Sequence, residues 1–245
     1  MQIAGHNVLW LGQATSTNEV ARNLAATGQL VPGDVVIADG QSAGRGRRGR
    51  AWVTVPGRSL AASILLRTPP LARPARLAVI AAVAACRALD RLGARDVLIK
   101  WPNDLMRGER KIGGLLIEQA GPGLQVLGVG INLELRPGDL PDALRETAGD
   151  AGLRGDLATR QRLLEALLEE LDAALADIGG EADRGRGEDY VRRAWLSGRL
   201  VELMADNRPI RTRVVGVTPE GDLRLEGGQL LSGETTQIVS VVRAR

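Results

Sequence analysis

Aromatic residues make up only 2% of the 245-residue chain and phenylalanine is missing, which leaves few rings to act as stacking platforms for single-stranded nucleic acid. A single histidine, His6, and a single cysteine, Cys86, argue against a histidine-based triad or metal site and exclude a cysteine zinc cluster and an internal disulfide. His6, near the terminus, reads as a surface histidine, and Cys86, in an alanine-rich stretch, as a small core residue. No Gly-Lys-Ser/Thr ending completes a Walker motif. The longest apolar run, Leu77 to Cys86, falls well short of the roughly 18 residues that a membrane span requires. The opening MQIAGHNVLW lacks the basic and apolar regions of an export signal. A cytoplasmic protein is expected, with no membrane partner.

What the chain does have is arginine and glycine, concentrated in one place. Gly40 to Trp52 reads GQSAGRGRRGRAW, with Arg45, Arg47, Arg48 and Arg50 threaded between Gly44, Gly46 and Gly49. Glycines let the backbone approach a ligand closely, and guanidinium groups grip phosphate or carboxylate through two parallel bonds. The run follows an apolar strand, Val35 to Ala38, so it leaves the end of a sheet, where ligands of α/β folds bind. The formal net charge of +3 is smaller than the charge of this loop alone, so the positive charge is local. A nucleic-acid-binding module would spread its basic residues more widely.

The hydrophobic pattern predicts a mixed α+β domain. Val8 to Leu11 reads as a strand, and Ser16 with Glu19 matches a capping box opening a helix that runs to about Gly28. Leu60 to Leu66 is a strand, and Pro69, Pro70 and Pro74 separate it from a buried helix over Leu77 to Leu92. Val97 to Ile99 leads into KWPNDL, a tight turn at Pro102, Asn103 and Asp104. Lys111 to Glu118 and Gln125 to Leu135 form a hairpin around Gly121, Pro122 and Gly123. Arg160 to Ile178 carries leucines at helical spacing. Gly179 to Gly187 reads as a glycine- and charge-rich connection. Strand-like runs after Arg199 then predict a small C-terminal β-barrel. The domains expected are 1–197 and 198–245.

With almost no histidine or cysteine, an enzyme here must work with lysine, arginine and backbone donors. Those groups suit a substrate that is already anionic, such as a carboxylate attacking the α-phosphate of ATP, which needs charge neutralisation and positioning rather than a general base.

Four stretches in order, Ser16-Thr17-Asn18, the GQSAGRGRRGRAW loop, KWPND from Lys100 with KIGGLLIE from Lys111, and GVGINL from Gly128, resemble the catalytic domain of biotin–protein ligases. The resemblance covers about residues 8 to 135, and the C-terminal part by size and position only. It implies a seven-stranded mixed sheet with helices on one face and an SH3-like C-terminal β-barrel. It also implies a two-step reaction: biotin and MgATP give biotinyl-5′-AMP, and the biotinyl group passes to a lysine of a biotin carboxyl carrier protein. The related lipoate–protein ligases are the alternative within this chemistry, but the arginine loop and KWPND speak for biotin.

The resemblance places Ser16, Thr17, Asn18 and Gln41 around the ureido ring, and Gly44, Arg45, Gly46, Arg47 and Arg50 in the loop that closes over biotin and the adenylate. Lys111, beside Gly114, would neutralise the carboxylate and the α-phosphate, and Asn132 would lie near the adenine. Trp52 is placed to stack on the nucleotide, or equally to fill the core. Asp104 would orient Mg2+ or accept the proton of the incoming lysine. Lys111, Arg47 and Asp104 are the expected catalytic residues, and no side-chain metal site is expected. The chain holds few lysines among its 32 cationic residues, yet Lys100 and Lys111 both fall in motif positions. Arg243 and Arg245 offer no clean register toward ATP, so no site residue is assigned there. The resemblance begins within about ten residues of Met1, which predicts a ligase without a DNA-binding repressor segment and hence without specific DNA recognition. A homodimer is compatible with the resemblance. The loop, with little apolar surface, is expected to order only when an anionic ligand arrives.

Overall fold

The computed structural model describes residues 1–67 and 74–242; Pro69, Pro70, Arg243 and Arg245 lie outside this range. The chain begins with β1 (Gln2–Ile3), β2 (His6–Ala14), α1 (Thr17–Ala26), β3 (Val35–Gln41), β4 (Ser59–Arg67) and α2 (Pro74–Arg91). It continues through β5 (Val97–Lys100), β6 (Asp104–Arg107), β7 (Arg110–Gly121), β8 (Leu124–Asn132), α3 (Asp142–Arg145), α4 (Leu157–Ala176) and α5 (Glu181–Arg192). Five strands close it: β9 (Leu200–Ala205), β10 (Arg208–Val217), β11 (Leu223–Leu225), β12 (Leu230–Leu231) and β13 (Thr236–Val241).

The first eight strands form one mixed sheet in the order β1-β2-β3-β4-β8-β7-β6-β5, with β2 and β3 parallel and the other neighbours antiparallel. It has one strand more than the seven implied by the resemblance. Strand alternation sorts its side chains. Val35, Ile37, Leu60, Ala62 and Ile64 join the large core with α2 and α4, whereas Val36, Leu65 and Val126 meet Ala21 of α1 in a second cluster. The long helices therefore share one face, as expected, and α1 lies alone across the other. α2 is buried because alanine and valine cover nearly every side of it, and Cys86 sits within it fully buried, its thiol pushed up to about 12 by desolvation.

The last five strands form an antiparallel sheet, β12-β11-β10-β9-β13, and its ladder is open between β12 and β13 among the described residues. It docks directly on the main sheet and helices. Trp101 donates its indole N–H to the Gly221 carbonyl at 2.8 Å, and Val201, Leu203 and Val214 belong to the large core.

The glycine- and charge-rich connection is where the sequence reading departs most from the fold, because most of it is the helix α5. Helix propensity argues against Gly185 and Gly187, but tertiary contacts override it. Arg186 and Asp183 are buried in a salt-bridge cluster with Arg76 and Asp177, and a Cβ on Gly187 would lie 2.7 Å from Pro219 of the C-terminal sheet. His6 also departs from expectation. Its ring lies half-buried, with Nδ1 2.7 Å from the Gly33 carbonyl and Nε2 2.8 Å from Asp172 of α4.

Candidate active site

The sheet face under α1 opens into a cavity of about 1230 Å3 that reaches from the N-terminus of α1 to the C-terminal sheet. Its floor is made by small residues, Ala61, Gly114, Gly128 and Gly130. A side chain on Gly128 would overlap the Asn18 carboxamide, and a Cβ on Gly130 would lie 2.5 Å from the Trp52 indole. Glycine at these two positions lets side chains and ligand lie flat on the strands.

At one end the wall is polar and neutral. Ser16 sits at the N-cap of α1 but makes no cap bond; the Glu19 carboxylate is met instead by the Thr15 hydroxyl at 3.1 Å. The predicted capping box does not form, and a different amide of the first turn is satisfied from outside the helix, by Gln41. Gln41 Oε1 accepts from the Thr17 backbone N–H at 2.8 Å, and Gln41 Nε2 donates to Thr54 at 2.9 Å. Ser16 thus lines the cavity with its hydroxyl uncommitted to the helix. Asn18 is engaged on both sides: its Nδ2 donates to Glu118 at 2.8 Å, and its Oδ1 accepts from the Ser63 hydroxyl at 2.6 Å.

The other end is cationic. Seven basic side chains, Arg45, Arg47, Arg50, Lys100, Lys111, Arg199 and Arg213, line the cavity against two carboxylates, Asp104 and Glu109. Lys111 places Nζ 2.6 Å from Asp104 Oδ1 and 5.8 Å from the centre of the Trp52 ring. Asp104 Oδ1 is buried, and this ion pair is the contact that balances its charge, although the geometry falls short of a hydrogen bond. Lys100 lies 5.4 Å over the Trp195 ring, and burial, reinforced by Lys111 and Arg50 against the pull of Asp104, holds its pKa below the usual lysine value.

The arginine loop has partners of its own within the protein. The Trp52 backbone N–H donates to the Gly44 carbonyl at 2.8 Å, Arg45 pairs with Ala51 in an isolated β-bridge, and a 3-10 turn spans Arg47–Gly49 with Arg48 at φ +56°. Arg47 donates to the Gly233 carbonyl and, at 3.4 Å, to Asn103 Oδ1; Arg48 donates to Gln237 at 2.8 Å. The loop is thereby fastened to the C-terminal sheet. Burial next to Arg48 lowers the Arg47 pKa from the usual arginine value, although Asp104 opposes this.

Most of the residues singled out in the sequence therefore meet in one place: Ser16, Thr17, Asn18, Gln41, Arg45, Gly46, Arg47, Arg50, Trp52, Asp104, Lys111 and Gly114 all line the cavity. Gly44 and Asn132 are not on its wall. A Cβ on Gly44 would press on the Trp52 carbonyl, so this glycine shapes the hairpin. Asn132 is buried, accepting from Ser59 at 3.3 Å and donating to the Gly149 carbonyl at 3.1 Å. Sequence reasoning missed Ser63, Thr54, Glu118, Trp195 and Arg199. Two glycines at strand period in GVGINL were the available signal for the cavity floor.

Residues 10–135 match the model of the Biotin/lipoate A/B protein ligase family. The chain belongs to this family. It is 39% identical over 203 residues to a biotin–[acetyl-CoA-carboxylase] ligase of Paracoccus denitrificans, covering 76% of this chain and 78% of the relative. It is 36% identical over 232 residues to the bifunctional ligase/repressor BirA of Escherichia coli, covering 92% and 71%. A solved biotin protein ligase from Aquifex aeolicus in complex with biotin and ATP superposes with a TM-score of 0.78 at 24% identity, covering 97% of this chain and 99% of that one. No helix among the described residues is long and apolar enough to cross a membrane.

Proposed function

We infer that this family member is a biotin–protein ligase: it activates biotin with MgATP to biotinyl-5′-AMP and transfers the biotinyl group to a lysine of a biotin carboxyl carrier protein. The observation that carries this reading is one cavity with a neutral, donor-and-acceptor end and a cationic end joined over a glycine floor. A ureido ring offers two N–H groups and a carbonyl, which the hydroxyls and amides around α1 can meet. Lipoate, whose ring carries no such donors, has no use for that wall.

In the first step a biotin carboxylate oxygen attacks the α-phosphorus, the new P–O bond forms and pyrophosphate leaves. Lys111 turns from Asp104 toward the two approaching anions, Arg45 and Arg50 balance the phosphates, and Trp52 forms an apolar wall beside the reacting centre. Positioning and charge neutralisation supply the rate enhancement. Mg2+ enters on the triphosphate; no group of three metal-ligating side chains exists among the described residues. In the second step the carrier amine attacks the acyl carbon, AMP departs, and Asp104, released from Lys111, takes the ammonium proton. Biotin-dependent exchange of labelled pyrophosphate into ATP tests the reading. Exchange with biotin and none with lipoate is expected; exchange with lipoate alone would refute it.

A further inference from the structure

Behind the neutral end of the cavity runs a continuous chain of polar groups that starts at the half-buried Glu118 on β7 and passes through the buried Asn18, Ser63 and Thr17. The Glu118 carboxylate can only accept, and so can the Leu116 carbonyl; the Asn18 Nδ2 lies 2.8 Å from the first and 3.3 Å from the second. The Asn18 amide is therefore locked with Oδ1 turned the other way, 2.6 Å from the Ser63 hydroxyl. Ser63, fully buried, must spend its one proton on that oxygen. Toward Thr17 Oγ1, 2.8 Å away, Ser63 can then only accept, so Thr17 must donate. Thr17 Oγ1 also lies 3.2 Å from Gln41 Oε1, which has a second lone pair beside the one that receives the Thr17 backbone N–H, but the contact to Ser63 is the shorter and takes the proton. Gln41 Nε2 gives one proton to Thr54 and keeps the other. From Asn18 to Thr17 each orientation follows from the one before, and the first is set by an anion; Gln41 is oriented by the Thr17 backbone N–H.

We propose that Glu118 is a positioning residue that fixes the donor and acceptor sense of the biotin-ring subsite through Asn18, Ser63 and Thr17. The relay leaves an acceptor lone pair on Thr17 Oγ1, to meet a ureido N–H, beside the donor that the Thr17 backbone N–H leaves on Gln41 Nε2. With its proton sense fixed before the ligand enters, the subsite binds without reorienting buried dipoles, and a half-satisfied buried network is costly. Glu118 itself does not reach the ligand wall. Its carboxylate also lies 3.4 Å from Arg22 and 3.8 Å from Arg45 of the loop, so its charge and its acceptor role must be separated experimentally. The proposal rests on the ligase reading.

The test is biotin Kd by titration calorimetry together with the KM values for biotin and ATP. Glu118→Met removes the acceptor and should raise biotin Kd on the order of 10-fold, leaving the ATP KM within about 2-fold. Glu118→Gln keeps an acceptor for Asn18 while losing the charge beside Arg45, and should stay within about 2-fold of wild type. Ser63→Ala breaks the relay at its middle in a site that tolerates a small residue, and should match Glu118→Met even if the latter folds poorly. Combined with Thr17→Val, Glu118→Met should add less than about 2-fold, because the relay is already cut. Without any ligand, the Asn18 side-chain amide should give a slowly exchanging proton in NMR spectra that Glu118→Met abolishes and Glu118→Gln retains. Additive effects, equal losses in Glu118→Gln and Glu118→Met, or wild-type affinity in Ser63→Ala would overturn the relay. A wild-type protein that fails to bind biotin would instead overturn the ligase reading, with the NMR comparison still deciding whether the relay exists.

Discussion

Replacing Lys111 by alanine removes the one ammonium that the structure holds between Asp104, at 2.6 Å, and the Trp52 face, at 5.8 Å. Two unit charges about 4 Å apart attract by about 4 kcal/mol at an effective dielectric near 20. The Asp104 contact that Lys111 relinquishes on substrate binding offsets part of this. Loss of one preorganised donor typically costs about 2.7–4 kcal/mol, or on the order of 10²- to 10³-fold in rate. Lys111→Ala should therefore slow single-turnover formation of biotinyl-AMP by that factor. It also leaves the Asp104 carboxylate facing two incoming anions, so adding Asp104→Asn should recover part of the lost adenylation while still impairing transfer. The assay is rapid-quench measurement of labelled adenylate with both variants, alongside thermal melting to establish folding. Near-normal adenylation in Lys111→Ala would remove the lysine from the mechanism, and a double variant slower than the single one would contradict the role given to the ion pair.

Arg47→Gly unfastens the loop from Gly233 and Asn103; biotinyl-AMP should still form but dissociate faster and label lysines of a bystander such as albumin, and an unchanged off-rate without stray labelling would show that the loop is no lid. Gly130→Ala drives a methyl group to 2.5 Å from the Trp52 ring and should lift the indole from the floor, weakening nucleotide binding on the order of 10-fold; calorimetric titration with ATP checks it. Stability should fall in acid. Burial alone would raise the Asp183 pKa, but the Gly179 N–H and the Arg76 and Arg186 guanidiniums outweigh it and hold the carboxyl below the usual range. A folded-state pKa below the unfolded one contributes stability that is fully present above about pH 3.9 and is lost as pH falls through the folded value. Asp183→Asn should flatten that decline in urea melts across the acid range, and an unchanged slope would deny the cluster its role.

The parts of the molecule legible in the sequence are those where local chemistry and tertiary need agree. The arginine loop declared itself because glycine freedom and guanidinium charge coincide in one short run. The hairpin at KWPND followed from turn residues, and Lys100 pairs with Asp104 across it. α5 was hidden because Gly185 and Gly187 oppose a helix locally, and the buried arginine–aspartate cluster that enforces it is completed by Arg76 of α2, far away in sequence. The helix opening at Ser16 was placed correctly although the capping box is absent: Gln41, from β3, satisfies the Thr17 N–H of its first turn instead. Ser63 and Glu118 could not be found from spacing: their partners come from α1, β4 and β7, and only the folded sheet brings them together. Asn132 shows the converse, a motif residue whose side chain is occupied by Ser59 and Gly149.

The central claim is that one cavity carries out both activation and transfer. Its most direct test is mass spectrometry of a biotin carboxyl carrier domain incubated with the purified protein, biotin and MgATP. The account predicts one biotinyl group on one lysine, dependent on ATP and lost in Lys111→Ala; a carrier left unmodified by wild-type protein that makes adenylate, or modified equally on many lysines, would contradict it.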